Sequence, residues 1–386
     1  MGAAFAFTCI APAHAQPALI ATPALPGYGQ AVSVTLAEAG WPLYLPATRF
    51  TRVGSVIEIE YEYVPDGFGP INPADATAPL PLGELAPGNY TLRGRMRNLA
   101  APSTAPIELS AQLAVVPPPS WGIYLLPAAP QAYSATWAIV RSAAYFDPGS
   151  MSATVSGNTV RVEFDYRSDL SLPGPRMSTF GSVRIPGLAP GAWRIEGWGR
   201  ASPEADHEVF FTREFSVAST TPVVEFYSAL LGHYFMAAGI DEIDLLDRGQ
   251  GDWKRTGQRF LAWMRQSDAP PGAAPACRFY ASGPNSHFYT VSGDECEALR
   301  ALELQQRAEA LARGEPFLGW AYEATAFWAV VAQAGSCPGG TRPMYRAYNN
   351  RASQMDSNHR FMADATQRDA MSFGWRDEGV HFCTAA

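Results

Sequence analysis

The sequence predicts a mainly β protein: two tandem β-sandwiches, then a pseudo-threefold, β-rich repeat domain with one short helix per repeat. Three observations point there. Two phrases in the first half recur 103 residues later. A three-part pattern of histidine, tryptophan and phenylalanine runs through the last third. The 33 prolines and 34 glycines favour many turns and short strands over long helices. At 386 residues the chain exceeds one ordinary core. Its 47% apolar and 17% charged content supports packed domains rather than disorder.

The chain opens MGAAFAFTCIAPAHAQPALI, an apolar run ending in the A-x-A pattern Ala13-His14-Ala15. Residues 1–15 are therefore expected to be an export signal, although no basic segment precedes the run. Cys9 is a weaker lipidation candidate, because the small residue expected just before a lipidated cysteine is missing in AFTC. No later stretch approaches the roughly 18 apolar residues of a membrane span. Lys+Arg 28 against Asp+Glu 36 gives a net charge of −8, which argues against a nucleic-acid binder.

Residues 16–118 and 119–219 form the duplicated half. GSVIEIEYEY from Gly54 matches GNTVRVEFDY from Gly157, and LAPGNYTLRGRMR from Leu85 matches LAPGAWRIEGWGR from Leu188. Two matches at one offset indicate an internal duplication. Ile57, Ile59, Tyr61 and Tyr63 alternate with Glu58, Glu60 and Glu62, the period of a half-buried strand. The acids are assigned to a solvent face rather than to calcium. Pro87-Gly88 and Pro190-Gly191 supply turns into the next strands. Each unit has the size of an immunoglobulin-like sandwich, and the L-A-P-G-x-aromatic phrase resembles the strand-entry turn of bacterial immunoglobulin-like modules. PPPS at 117–120 and STTP at 219–222 read as short, stiff linkers.

Residues 222–386 contain three units. EFYSALLGHYFMA, CRFYASGPNSHFYT and MYRAYNNRASQMDSNHRFMA are each followed by a helical stretch and a tryptophan strand. This alignment equates His233, His287 and His359. Trp253, Trp320 and Trp375 each precede a phenylalanine by seven positions, Phe260, Phe327 and Phe382. Fixed strand spacing with variable loops is how a repeat behaves. Gly249, Gly314 and Gly374 are expected to close the helices. One unit cannot bury its aromatic face alone, so three must share a core.

The units resemble a bacterial family of secreted repeats classed as a domain of unknown function, built from F-Y, H-F-Y-T and W-x-x-x-G-x-x-F elements. The resemblance covers about residues 223–386. It implies an extracytoplasmic module, often appended to other domains, with no assigned activity and no catalytic residue to transfer. Gln258 departs from the pattern, and Arg360 replaces the central aromatic of the third unit, an expected weakening of its aromatic face. Four cysteines remain after signal removal, Cys277, Cys296, Cys337 and Cys383. An even number in an exported chain favours two disulfides over free thiols, and C-x-x-C zinc spacing is absent. Three connectivities are open; the repeat layout favours Cys277–Cys296 and Cys337–Cys383.

Three equivalent histidines would bind zinc if they converged on the axis. The preferred alternative gives each a hydrogen bond to its own turn, since Gly232, Ser286 and Asn358 precede them. Trp253, Trp320 and Trp375 are either sugar-stacking platforms or core, with core preferred. Tyr348 opens an exposed YNN contact loop. No nucleophile elbow, H-E-x-x-H, phosphate loop or dinucleotide fingerprint occurs. The expectation is an exported, non-enzymatic binding or adhesion protein, its sandwiches acting as spacers. It needs no cofactor or metal, and its extracellular ligand is a glycan or a protein. The alternative is a secreted hydrolase acting on polysaccharide or protein.

Overall fold

The duplication seen in the sequence reappears in strand register. The computed structural model describes residues 17–37, 43, 48–63, 79–167, 178–371 and 374–386; the expected signal, with Cys9 and Ala13 to Ala15, lies outside them. In the first segment the strands are β1 (Ala18–Thr22), β2 (Ala31–Ala37), β3 (Arg49–Val53), β4 (Val56–Tyr63), β5 (Leu80–Glu84), β6 (Gly88–Asn98) and β7 (Ile107–Val115). The second holds β8 (Gly122–Leu126), β9 (Thr136–Phe146), β10 (Ser152–Ser156), β11 (Thr159–Asp165), β12 (Ser178–Ile185), β13 (Gly191–Arg200) and β14 (Glu208–Val217).

In the second segment the three-stranded sheet β12-β9-β8 and the four-stranded sheet β10-β11-β13-β14 supply one buried cluster. In the first, the three-stranded sheet β1-β2-β5 and the strands β3-β4-β6-β7, which belong to a larger sheet continuing into the last third, supply another. Ile57 pairs with Leu92 across the parallel strands β4 and β6; Val160 pairs with Ile195 across β11 and β13, each partner 103 positions later. All four side chains are fully buried. The L-A-P-G-x-aromatic phrase gains a physical cause here. Tyr90 donates to the Ala86 carbonyl at 2.8 Å, and Trp193 donates to the Ala189 carbonyl at 2.9 Å. The buried ring thus satisfies its polar atom within its own turn.

The last third contains β15 (Thr221–Ser228), β16 (His233–Ala238), α1 (Ile240–Asp247), β17 (Trp253–Ala262), β18 (Ala273–Ala281), β19 (Ser286–Thr290), α2 (Gly293–Arg313), β20 (Trp320–Val331), β21 (Thr341–Tyr348), β22 (His359–Met362), α3 (Ala365–Ala370) and β23 (Arg376–Ala385). The protein is mainly β. Three times a strand pairs antiparallel with the hairpin strand after it and with the strand beyond the helix: β15 with β16 and β17, β18 with β19 and β20, β21 with β22 and β23. Gly314 caps α2 in the left-handed conformation (φ +65°). Gly249 follows the Arg248 cap of α1, and Gly374 lies beyond α3.

Phe260, Phe327 and Phe382 meet in a triangle with ring centroids 5.6, 5.8 and 5.8 Å apart. Such ring pairs contribute about 0.5–1.5 kcal/mol each beyond area burial. The disulfides are Cys277–Cys296 and Cys337–Cys383, with Cα atoms 6.1 and 5.6 Å apart. No described helix is long and apolar enough to cross a membrane.

Two expectations need correction. Glu60 and Glu62 do not face solvent: buried Arg49 reaches them at 2.6 and 3.2 Å, and Lys254 of β17 reaches Glu60 at 2.5 Å. Burial opposes the charge on Glu60, but Lys254 and Arg49 hold its carboxyl below the usual range. The residues read as the second linker include the start of β15, and both leading segments pack against the repeat units. Phe50 of β3 pairs with Arg255 of β17. Gly257 (φ +84°) approaches so closely that a Cβ there would stand 2.8 Å from the Pro81 carbonyl oxygen. From the second segment, Arg184 binds Asp244 of α1 at 2.5 Å, and the Tyr133 hydroxyl donates to Asp268 at 3.3 Å.

Candidate functional site

Strand pairing fixes which residues correspond among the three hairpins. Tyr227 stands opposite Tyr234, Tyr280 opposite His287 and Tyr348 opposite His359. His287 and His359 therefore occupy one position, whose counterpart in the first hairpin is Tyr234. His233 lies one residue earlier, level with Ser286 and Asn358, so its expected equivalence is corrected. The F-M-A run shared by the first and third copies suggested the wrong frame. Distance to the helix gives the right one: Tyr234, His287 and His359 each stand six residues before the first helical residue.

At the shifted level three polar residues close one end of the repeat domain. His233 is buried, with Nδ1 facing the Asn285 carbonyl at 3.3 Å and Nε2 facing Asp356 at 2.7 Å. Burial works against the charge of Asp356, but His233 and Arg351 keep its carboxyl low. The Asn358 amide donates to the Tyr234 carbonyl and to Ser286 Oγ at 3.1 and 3.0 Å, and its oxygen accepts from the Tyr234 N–H at 2.8 Å. Every one of these bonds links different units, so the plug is a fastener.

Next to it lie three seams built from corresponding positions. Phe235 packs edge-on against His287 at 4.7 Å, and Phe288 packs against His359 at 4.9 Å. In the third seam the Arg360 guanidinium sits 4.3 Å from the Tyr234 ring centre. Behind the first seam Arg278 binds Glu242 of the preceding helix at 2.7 Å and Glu323 at 3.0 Å, while His287 lies 3.4 Å from Glu323. Behind the second, Arg346 binds Glu295 at 3.1 Å and Glu378 at 2.7 Å, while His359 lies 3.5 Å from Glu378. The His287 hydrogen bond and Arg278 lower the carboxyl of Glu323. Burial pushes the His359 imidazole down to about 3 and His381 to about 4, helped in both by the Arg346 charge.

The third seam reverses the charges. Glu225 takes the place held by Arg278 and Arg346, and Arg360 replaces the phenylalanine. They meet through two bonds of 2.9 and 3.0 Å, and Thr256 donates to Glu225 at 2.7 Å. Arg360 therefore does not weaken its face as expected, because its partner changed with it.

The tryptophans flank these seams, half-buried. Trp253 packs on Phe235 at 5.6 Å, Trp320 on Phe288 at 5.9 Å and Trp375 on Tyr234 at 6.0 Å. Each hairpin also packs its cross-strand partners together: Tyr227–Tyr234 at 4.8 Å, Tyr280–His287 at 4.9 Å and Tyr348–His359 at 4.7 Å, with Tyr234 buried. Tyr227, Tyr280 and Tyr348 are half-buried, as are His287 and His359. His233, His287 and His359 thus face three different carboxylates. Among the described residues no three His, Cys, Asp or Glu side chains are placed to hold a metal.

A family model described as a domain of unknown function matches residues 193–313 and 304–385, together half of the chain. Its first match begins inside β13, ahead of the three hairpins. No curated protein and no solved structure matches the chain.

Proposed function

The chain belongs to the family Domain of unknown function (DUF5648), and from that premise we propose that it is an exported, non-enzymatic binding or adhesion protein. Its two leading segments are immunoglobulin-like sandwiches. They buttress a pseudo-threefold module that presents one aromatic ring pair per unit to a glycan or a protein.

The observation that carries this reading is the ring pair repeated at 4.7 to 4.9 Å on three hairpins. A half-exposed tyrosine braced by a second ring offers a flat apolar face with a polar rim, suited to a sugar ring or an aromatic side chain. Three such faces on one rigid body allow weak contacts to add through avidity. The three seams, alike in position, support the threefold arrangement. The common 103-residue register supports the paired sandwiches. Two disulfides fit an oxidising compartment and hence export. The carboxylate partners of the histidines join strands and units, which favours a structural over a catalytic role for them.

The test is retention on a glycan array and on envelope extracts, comparing the wild type with Tyr280→Ala/Tyr348→Ala. Avid binding by the wild type and its loss in the double variant are expected. Binding that survives the double variant, or no retention on any surface, sinks the reading. Fractionation of cells making the chain with and without residues 1–15 tests export, and a full-length product left in the cytoplasm counts against it.

A further inference from the structure

We propose that the cleft between the first segment and β17 is a binding site for a small ring-bearing carboxylate, a site separate from the hairpin rings. The strand geometry makes the cleft. The pairing of β15 with β17 slips between Val224/Arg259 and Phe226/Arg255, and the extra residues bulge towards the first segment. Gly257, at the crest of that bulge, touches Pro81. Beside this contact a space of about 230 Å³ remains open. It falls below the roughly 300–1,000 Å³ of pockets for drug-sized ligands, which limits the occupant to about a monosaccharide or a monocyclic acid.

The lining sets the chemistry. Phe50 and Val224 contribute apolar wall; Ser33, Gln258, Arg255 and Arg259 contribute polar groups. Among the described residues no carboxylate lines the cleft, although the chain as a whole carries a net charge of −8. Asp247 holds Arg255 in a two-point grip of 2.6 and 2.7 Å, fixing its guanidinium and offsetting its charge. Among the described residues, the side chains of Arg259, Gln258 and Ser33 make no hydrogen bond. The cleft therefore presents one cation with no hydrogen-bonded carboxylate among the described residues, two neutral hydrogen-bonding groups and apolar wall. A monoanion with a ring satisfies all three, and a concave cationic surface concentrates it. Glu84 of β5 is the nearby acid that feels Arg259: burial raises its carboxyl, while the Arg259 charge and a hydrogen bond from the Ala128 backbone lower it.

Isothermal titration of the full chain with glucuronate and with phenylacetate, each beside its neutral counterpart glucose or phenylacetamide, tests the site. At least one acid should saturate with a Kd on the order of 1 mM or tighter. Its neutral counterpart and the Arg259→Gln variant should bind about tenfold more weakly or worse. Arg259 is exposed, so the variant should unfold at the wild-type temperature. Tyr280→Ala should bind the acid as the wild type does, which separates this site from the hairpin rings. Which acid binds tells a sugar acid from an aromatic one. Saturation by neither acid, or unchanged affinity in Arg259→Gln, overturns the proposal.

Discussion

Glu225 and Arg360 form a doubly hydrogen-bonded ion pair in which each side chain is only 6% exposed. They lie 135 residues apart and close the seam between the first and third repeat units. Breaking a buried pair from one side leaves a lone charge, at a cost of about 3–5 kcal/mol. Arg360→Met or Glu225→Met should each lose about that much in urea unfolding. The double variant should fall well short of the sum, and an additive result would mean that the pair carries no coupling.

The two glycines at corresponding bulges should respond differently. Gly257 and Gly379 both have positive φ, +84° and +75°, so alanine strains either one by about 1–2 kcal/mol. At Gly379 a Cβ meets nothing within 4 Å, whereas at Gly257 it meets the Pro81 carbonyl at 2.8 Å. Gly257→Ala should therefore be the more destabilising and should expand the molecule in small-angle scattering. Equal losses would show that the close approach is not rigid.

The disulfides span 19 and 46 residues. The chain-entropy argument assigns about 3 and 4 kcal/mol to loops of these lengths. Replacing both partners with serine should lower stability more for Cys337/Cys383 than for Cys277/Cys296, measured by chemical denaturation. The reverse order would point to strain or denatured-state structure.

Acid should weaken the second seam through its histidines. His359 and His381 titrate near 3 and 4 when folded, below the ordinary 6.5. Below pH 6.5 the unfolded chain takes up protons that the folded chain refuses, so stability is complete above that pH and falls as pH drops. Each group contributes a slope of about 1.4 kcal/mol per pH unit, ending as its folded pKa is passed. His359→Gln should flatten stability against pH between roughly 6 and 4. An unchanged slope would remove His359 from the account.

Local patterns were legible in the sequence, and long-range partnerships were not. The alternation around Ile57 and the Trp-to-Phe spacing are set by strand geometry, so they located the duplicated cores and the phenylalanine triangle. The histidine frame failed because two copies share F-M-A while their hairpins pair one residue apart. Glu60 looked solvent-facing because its partner Lys254 lies 194 residues away. Arg360 looked like a loss because Glu225, its compensation, belongs to another unit. No local period records such pairs. The cleft beside Arg259 was invisible for the same reason, since its two walls come from segments that meet only in the folded chain.

The second unit differs from its neighbours in one respect with a practical consequence. Its helix α2 runs for 21 residues against 8 and 6 in the other two, yet only Cys296 and Ala310 along it are buried. Cys296 in its first turn is bonded to Cys277 of β18. Further along, Glu303 accepts from the Tyr322 N–H at 2.8 Å and Arg307 covers the Phe317 ring at 4.2 Å, so one face of the helix is held to the body along its length. Leu304 and Leu311 are exposed and form a natural handle. A fluorophore, a surface tether or a grafted epitope placed on them would travel with the rigid body and leave the seams undisturbed.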